Sequence, residues 1–459
     1  MERKKTEELL RERLREKGLK VTQQRLLILS VLEQHGGRHM TAEDIYELVT
    51  EDYPEIGLAT VYRTLQLLWD MQLIDRINLD DGCVRYEIGH LLRDGAKHNH
   101  HHLICMKYEA KAWKESEGAC LRNFNEQAQI ESVNGALALR SQIENVIDQI
   151  WEEGFDGIYF IGIGGTYASG MQVEVYMRGR SKLPVYVENA AEFLTTGNKR
   201  FTDKSVVIYS SVSGNTKEMV ELVDRVHEIG ARVFAFIDTP GTILTQPDKR
   251  EHLIVYPMNE QLKFYMVANY LMYKNGEFEE YDRYNKEMES YLAEALVQVE
   301  KDSDEWAYEY AKNKVDFWKK HPDLPHYFIG SGNQYGATYS YAMCYWEEQM
   351  WIRTKSISCQ EFFHGMQEII VDDTPVTLFM GEDEQRPLAE RVARFLPKVN
   401  ANYTIIDTKE QELKGISPEF RGSISHLVMH GVNNRVDAYM ELFLRHPLSI
   451  RRYYRQFEY

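Results

Sequence analysis

Apolar residues recur at helical spacing in the first quarter of the chain and in short solid runs after it. Thr22 stands as an N-cap before a helix whose apolar positions are Leu26, Leu27, Ile28, Val31 and Leu32. Thr41 opens TAEDIYELV, with Asp44 at capping-box distance and Ile45 and Leu48 on one face. A third helix is predicted from Leu58 to Leu73, and a charged one ahead of all three, over 6–17, stopped by Gly18. Two β-patterned pieces, DRINLD and VRYEIG, follow, separated by a hairpin signal, Asp-Asp-Gly. Helix, helix, helix and hairpin is the order of a winged helix-turn-helix.

His90 to Cys105 is irregular and rich in histidine. Residues 106–150 read as helical, with a stripe of Leu137, Ile143, Val146, Ile147 and Ile150. The rhythm then changes. IYFIGIG, PVYVE, SVVIYSS and RVFAFID are short and almost wholly apolar or β-branched, with helices between them. Such alternation predicts an α/β architecture, a parallel sheet covered on both faces.

The pattern also repeats. Tyr159-Phe160-Ile161-Gly162-Ile163-Gly164 with Tyr167 matches Tyr327-Phe328-Ile329-Gly330-Ser331-Gly332 with Tyr335, and SVVIYSSVSGNT has a weaker counterpart in PVTLFMGEDEQR. Two copies of one α/β half-unit, joined by a Tyr- and Glu-rich helical segment over 276–320, account for this.

A chain of 459 residues suggests about three domains. Its 43% hydrophobic and 27% charged residues exclude wholesale disorder. No apolar run is long enough for a membrane span, and the charged start carries no apolar core of a signal peptide. Five scattered cysteines do not make a disulfide framework, so a reducing cytoplasm is the expected compartment. The net charge of −17 argues against nonspecific coating of nucleic acid by the whole molecule. Residues 1–105 are nearly neutral and open on basic residues, so a DNA-binding role survives for that part alone.

Candidate chemistry sits in the second part. SSVSGNTKE (210–218) follows a buried strand and precedes a helix. Ser211, Ser213 and Thr216 offer hydroxyls, Gly214 permits a tight turn, and the helix start offers free N–H groups, which together suit a phosphate. A polar strand-to-helix turn without a ligand would have the same composition. The turn Gly162-Ile163-Gly164-Gly165-Thr166 lacks the G-x-G-x-x-G spacing of a dinucleotide site and fits better as a second wall of a sugar-phosphate pocket. The second copy replaces the hydroxyls with Gly-Glu-Asp-Glu-Gln-Arg, and acids at a helix start repel phosphate. One lobe is therefore expected to hold phosphate and the other to supply acid–base groups. Glu347, Glu348, Glu361 and His364, within 346–368, are the candidates for that work.

The motifs GIGGTYASG (162–170), ENAAEF (188–193), SSVSGNTKE and EFFHG (361–365) resemble sugar isomerase (SIS) domains, and the ending RRYYRQFEY resembles the fructosamine 6-phosphate deglycase branch. The resemblance covers about 135–459. It implies two tandem doubly wound parallel-sheet SIS lobes. It assigns the phosphate to Thr166, Ser211, Ser213 and Thr216, and the base and acid to Glu348 and His364, sixteen residues apart. It implies a homodimer, a phosphorylated ketosugar or fructosamine as substrate, and no cofactor for the chemistry. Met366 stands where the family has a proline after His-Gly, and Gly165 where it has a small hydroxyl residue.

GLKVTQQR, TAEDIY, GLATVYRTL and HHHLIC (18–105) resemble the ferric uptake regulators. That resemblance implies DNA contacts by Lys20, Thr60, Tyr62 and Arg63, and a site for divalent iron, manganese or zinc on His39, Glu87, His100 and His102. Cys105 is followed by Met106, Lys107 and Tyr108, so the family's Cys-x-x-Cys pair is missing, and its dimerisation part is replaced. The expected division is a winged-helix domain over 1–105, a helical linker over 106–134, a phosphate-binding lobe over 135–290 and an acid–base lobe over 291–459. Two functions follow: a deglycase or isomerase fused to a DNA-binding head, or a transcription regulator that senses a sugar phosphate without turning it over.

Overall fold

The protein divides into two units, Met1–Ala119 and Cys120–Tyr459, in a computed structural model that describes Leu14, Lys20 and residues 22–35, 40–53, 56–71, 73–78, 84–88, 121–248 and 251–454. In the first unit, helix α1 (Gln23–Gln34) leads to a short strand, β1 (Met40–Thr41), then α2 (Ala42–Asp52) and α3 (Leu58–Asp70). Thr41 and Asp44 cap α2 reciprocally, Asp44 N to Thr41 Oγ1 at 3.1 Å and Thr41 N to Asp44 Oδ2 at 2.8 Å, an arrangement worth about 0.5–2 kcal/mol. The third helix ends at Asp70, three residues short of the sequence expectation. Leu73 N bonds back to Leu68 O, and the chain leaves the helix to feed β2 (Ile74–Asn78). With β3 (Val84–Ile88) it forms an antiparallel hairpin, and β1 adds to the far edge of β3. Ile28, Leu32, Ile45, Val49, Val61, Leu65 and Leu68 close one core.

The second unit starts with α4 (Glu126–Leu137) and α5 (Arg140–Glu153). Of the helical stretch expected over 106–150, residues 106–120 lie outside the described residues, 121–125 are not helical, and the remainder breaks at Ala138–Leu139. The break lets Val133, Ala136 and Leu137 of α4 and Ile143, Ile147 and Ile150 of α5 reach the same core. Then come β4 (Ile158–Gly162), α6 (Gly165–Arg178), β5 (Val185–Asn189), α7 (Ala190–Thr196), β6 (Val206–Ser211), α8 (Lys217–Ile229), β7 (Arg232–Ile237), β8 (His252–Val255) and α9 (Glu260–Lys274). The five strands are parallel, in the order β5-β4-β6-β7-β8. Every residue of β4 and β6 is buried, as solid apolar runs require when helices cover both faces.

Helix α10 (Tyr281–Lys320), 40 residues long, carries the chain to the second sheet and packs along α14 (Pro418–Leu444). Between them lie β9 (His326–Gly330), α11 (Asn333–Ser340), a π-helical stretch over Tyr341–Glu347, β10 (Thr354–Ser358), α12 (Cys359–Phe362), β11 (Val376–Met380), α13 (Arg386–Phe395) and β12 (Tyr403–Asp407). This sheet is also parallel, in the order β10-β9-β11-β12. Strands β4 and β9 are the two copies of the sequence repeat, and α6 packs against α11 across the lobe boundary. The strand order reverses between β4 and β6 in one sheet and between β9 and β11 in the other, which is where open α/β sheets form ligand crevices.

Candidate active site

The crevice of the first lobe is walled by the turn after β4 and the loop after β6. Gly164, with φ 62° and ψ −125°, makes the first turn. The Thr166 hydroxyl closes that turn on itself: Ile163 N donates to it at 3.1 Å, and it donates to Ile163 O at 3.0 Å. Thr166 thus shapes the wall. In the loop after β6, Gly214 takes φ 60° and donates its N–H to Ser211 Oγ at 3.1 Å. Ser213 Oγ lies 3.3 Å from Thr216 Oγ1, so these two hydroxyls face one another at the head of α8, where Thr216 is the N-cap. The segment after β7 braces this loop: Ile243 N donates to Asn215 Oδ1 at 2.9 Å, and Thr239 Oγ1 donates to Val212 O at 2.7 Å. A side chain at Gly214 would force this turn to shift, because a Cβ there would lie 2.0 Å from Thr242 Oγ1. The result is a braced turn with the half-buried Ser213 and Thr216 hydroxyls at the head of α8, an arrangement suited to an anion, while Ser211 is buried and its hydroxyl holds Gly214 N.

The second lobe reaches this crevice. A Cβ on Gly165 would stand 3.7 Å from Ser340 Oγ and 3.9 Å from Cys344 Sγ, so α11 and the π-helical stretch lean over the first turn. Tyr167 and Tyr339 meet edge to face at 6.3 Å across the same boundary. Glu348 is the residue that ends the π-helical stretch; its N–H bonds Met343 O, five residues back, at 3.0 Å. Such π segments gather at functional sites. Arg451 Nε donates to Glu348 Oε1 at 2.6 Å, and Glu348 Oε2 has no hydrogen-bond partner among the described residues. Glu347 points elsewhere, accepting from Thr354 Oγ1 at 2.7 Å.

His364 is exposed and follows α12, beyond the C-terminal end of β10. Glu348 precedes the same strand. The five residues of β10 and the four of α12 lie between the two along the chain. Cys344, four residues before Glu348, is the side chain of the π-helical stretch that reaches the first turn. Glu361, the remaining acid in that segment, is exposed on α12.

Two features were not singled out in the sequence. Glu260, first residue of α9, lies against the Ser169 and Ser210 hydroxyls; burial pushes its carboxyl up from the ordinary range. Lys263, one turn on and fully buried, bonds Tyr256 O at 2.7 Å and pairs with Asp238 at 3.3 Å. Met258 and Asn259, with φ of 61° and 53°, turn the chain into this helix. The other feature is Cys344, whose thiol burial pushes up to about 11, so it is neutral beside Gly165. The signal was weak for both: one Glu and one Cys on helices are ordinary residues until the fold brings them to a crevice.

In the first unit, Val61, Leu65 and Leu68 bury one face of α3, and Tyr62, Arg63, Gln66 and Trp69 form the outward face. Thr60 is half-buried in the first turn and Lys20 is exposed. Of the metal-site residues, His39, His100 and His102 lie outside the described residues, and Glu87 is described only as a backbone position of β3. Among the described residues no cluster of three or more metal-ligating side chains occurs.

Comparison with known proteins matches the ferric uptake regulator family over residues 16–112 and the SIS domain over residues 155–273. A relative, the ferric uptake regulation protein of Bacillus subtilis, is 44% identical over 117 residues, covering 26% of this chain and 75% of that protein. The chain belongs to the ferric uptake regulator family by its N-terminal domain, and a SIS domain follows. The SIS part is similar to fructosamine deglycase FrlB of Bacillus subtilis, 26% identical over 329 residues, 69% of this chain and 97% of FrlB. Its fold matches a Bacillus subtilis crystal structure described as a phosphosugar isomerase, with a TM-score of 0.63, 25% identity and coverage of 72% of this chain and all of that one. The C-terminal domain of a glucosamine-fructose-6-phosphate aminotransferase from Francisella tularensis shares the fold, with a TM-score of 0.54 at 14% identity, over 69% of this chain and 94% of that one. The two parallel sheets are thus the two lobes of a phosphosugar isomerase fold, and the hydroxyl-lined turn of 211–216 lies within the matched SIS domain.

Proposed function

We propose that the SIS part is a deglycase of fructosamine 6-phosphates, with Glu348 as its base and His364 as its acid, joined to a DNA-binding head. The observation that carries this reading is the hydroxyl-bearing turn at the head of α8, set in a phosphosugar isomerase fold whose second lobe packs on the neighbouring first turn. The likeness to fructosamine deglycase FrlB supports the choice of substrate class.

In this reading Ser211, Ser213 and Thr216, with the head of α8, hold the phosphate far from the reacting carbons and orient the sugar. Thr166 shapes the opposite wall. Glu348 Oε2 takes a proton from C1 of the open-chain Amadori compound, and the C2 carbonyl oxygen gains one, giving an enaminol. Protonation at C2 then yields an imine at C1. Water adds to that imine, and the amine leaves as an aldose 6-phosphate forms. Such positioned proton transfer supplies about 10²–10⁴-fold. These steps call on acid–base groups alone. In this reading the acid comes from a second copy in a homodimer, whose two sites each draw on both chains.

Ferric uptake regulator domains typically bind metals, and the metal residues proposed for this one are His39, Glu87, His100 and His102. The outward row on α3 favours a second role, binding of DNA through Tyr62 and Arg63, with Thr60 and Lys20 at its margin. A sensor without catalysis would bind the same sugar phosphate and leave it intact. Incubation with a fructosamine 6-phosphate in D₂O separates the two. The deglycase releases amine and an aldose 6-phosphate carrying solvent deuterium at C2; a sensor returns the ligand unchanged.

A further inference from the structure

The two lobes build the same backbone cradle and fill it differently. Gly164 and Gly332 begin the helices after β4 and β9 with nearly the same dihedrals, φ 62° and ψ −125° against φ 58° and ψ −137°. A Cβ added to Gly164 would meet nothing within 4 Å. A Cβ added to Gly332 would lie 2.2 Å from Asp383 Oδ2 and 2.3 Å from Oδ1. In the repeat, Asp383 occupies the position of Ser213, and its carboxylate stands against Gly332 where nothing stands against Gly164.

The carboxylate is bonded there as an anion would be. Asn333 N, at the head of α11, donates to Asp383 Oδ2 at 2.7 Å, and Gln385 N donates to Oδ1 at 2.9 Å. The flanking acids are turned away and paired, Glu382 with Arg421 at 2.8 Å and Glu384 with Arg180. A cavity of about 290 Å³, lined by Tyr176, Gly332, Asn333, Asp383 and Gln385, opens beside the carboxylate.

We propose that Asp383 is a built-in occupant of the second lobe's anion cradle, so that each chain binds one phosphoryl group instead of two. This rests on the reading of the first lobe as the phosphate site. The acids after β11 do more than repel a ligand: one of them takes its place. The same contact clamps the head of α11, the helix that runs through the π-helical stretch to Glu348, so the empty-handed lobe holds the base steady for the ligand in the other.

Calorimetric titration of the full chain with glucose 6-phosphate and with orthophosphate tests this. The wild type should bind one equivalent per chain, and Ser211→Ala with Ser213→Ala should bind none. Asp383→Ser, which restores the first-lobe residue type, should bind a second equivalent, and should keep one equivalent when combined with the two alanines. Should Asp383→Ser loosen the fold, its melting temperature should recover with added orthophosphate by more than the wild type gains. A wild-type stoichiometry of two, or an Asp383→Ser chain that neither gains a site nor recovers, overturns the proposal. Unchanged binding after Ser211→Ala with Ser213→Ala overturns instead the phosphate reading beneath it.

Discussion

Arg451 Nε lies 2.6 Å from Glu348 Oε1, a pair that ties the end of the chain to the proposed base across 103 positions of sequence. The segment around it is built to hold that pair. His446 Nε2 is 2.8 Å from Gln349 O, the His446 ring lies 3.9 Å from that of Trp351, and Arg452 covers the Trp351 ring at 4.0 Å. Trp351 itself takes φ 60°, a turn the surrounding contacts sustain. Arg451 is therefore a positioning residue for Glu348. Arg451→Ala should lower kcat by about 10²-fold with KM changed far less, since misplacing a base costs rate more than binding. Arg451→Lys should recover part of the loss. Steady-state kinetics on a fructosamine 6-phosphate read both.

Gly214→Ala should break the anion turn twice over, by its φ of 60° and by the approach of Thr242 Oγ1. The expected result is a rise in KM for the phosphorylated substrate of tenfold or more, on the order of 1–3 kcal/mol of lost binding. A dephosphorylated analogue, which never used the turn, should bind the variant and the wild type alike.

A dimer that shares its sites should be rescued by mixing. Glu348→Gln chains and His364→Ala chains should each be inactive. Refolded together in equal amounts they should regain about a quarter of wild-type activity, because half of the random two-fold dimers carry one intact site of two. No recovery from demonstrably mixed dimers would place both groups in one chain.

Asp437, bonded by Tyr341 O–H at 2.7 Å, is pushed by burial up to about 8. The folded value stands above the ordinary 3.8, so the neutral form is the one the fold prefers. Its contribution to stability is complete below the ordinary value and is lost as pH rises toward and through 8. Asp437→Asn keeps the neutral shape and should flatten the decline in melting temperature between pH 4 and 8. A variant that declines as steeply as the wild type would mean that Asp437 does not drive it.

On the DNA-binding side, Arg63→Ala should weaken operator binding by about tenfold and reduce its salt slope by about one. A gel shift unchanged by the substitution would show that the outward face of α3 does not meet DNA.

Much of this was legible in the sequence because it is local. The Thr41–Asp44 capping box, the hairpin at 74–88 and the repeated Tyr-Phe-Ile-Gly strands depend on neighbours a few residues away, and the structure has them where the pattern puts them. The loop of 211–216 was legible for the same reason. What was not legible depends on distant parts meeting. The placing of Cys344 against Gly165 needs two helices to cross a lobe boundary. The Asp383 contact needs two loops after different strands to close over one another, and the composition of Gly-Glu-Asp-Glu-Gln-Arg announces charge without saying where it points. The spacing of sixteen between Glu348 and His364 likewise hides a strand and a short helix that lie between them.

The most direct measurement is a single-turnover reaction of a fructosamine 6-phosphate with the wild type and with Glu348→Gln, following both free amine and bound substrate. The wild type should release amine and an aldose 6-phosphate, and Glu348→Gln should bind the substrate with similar affinity and release neither. Equal release by the two proteins, or tight binding by the wild type with no release at all, would contradict a Glu348-driven deglycase.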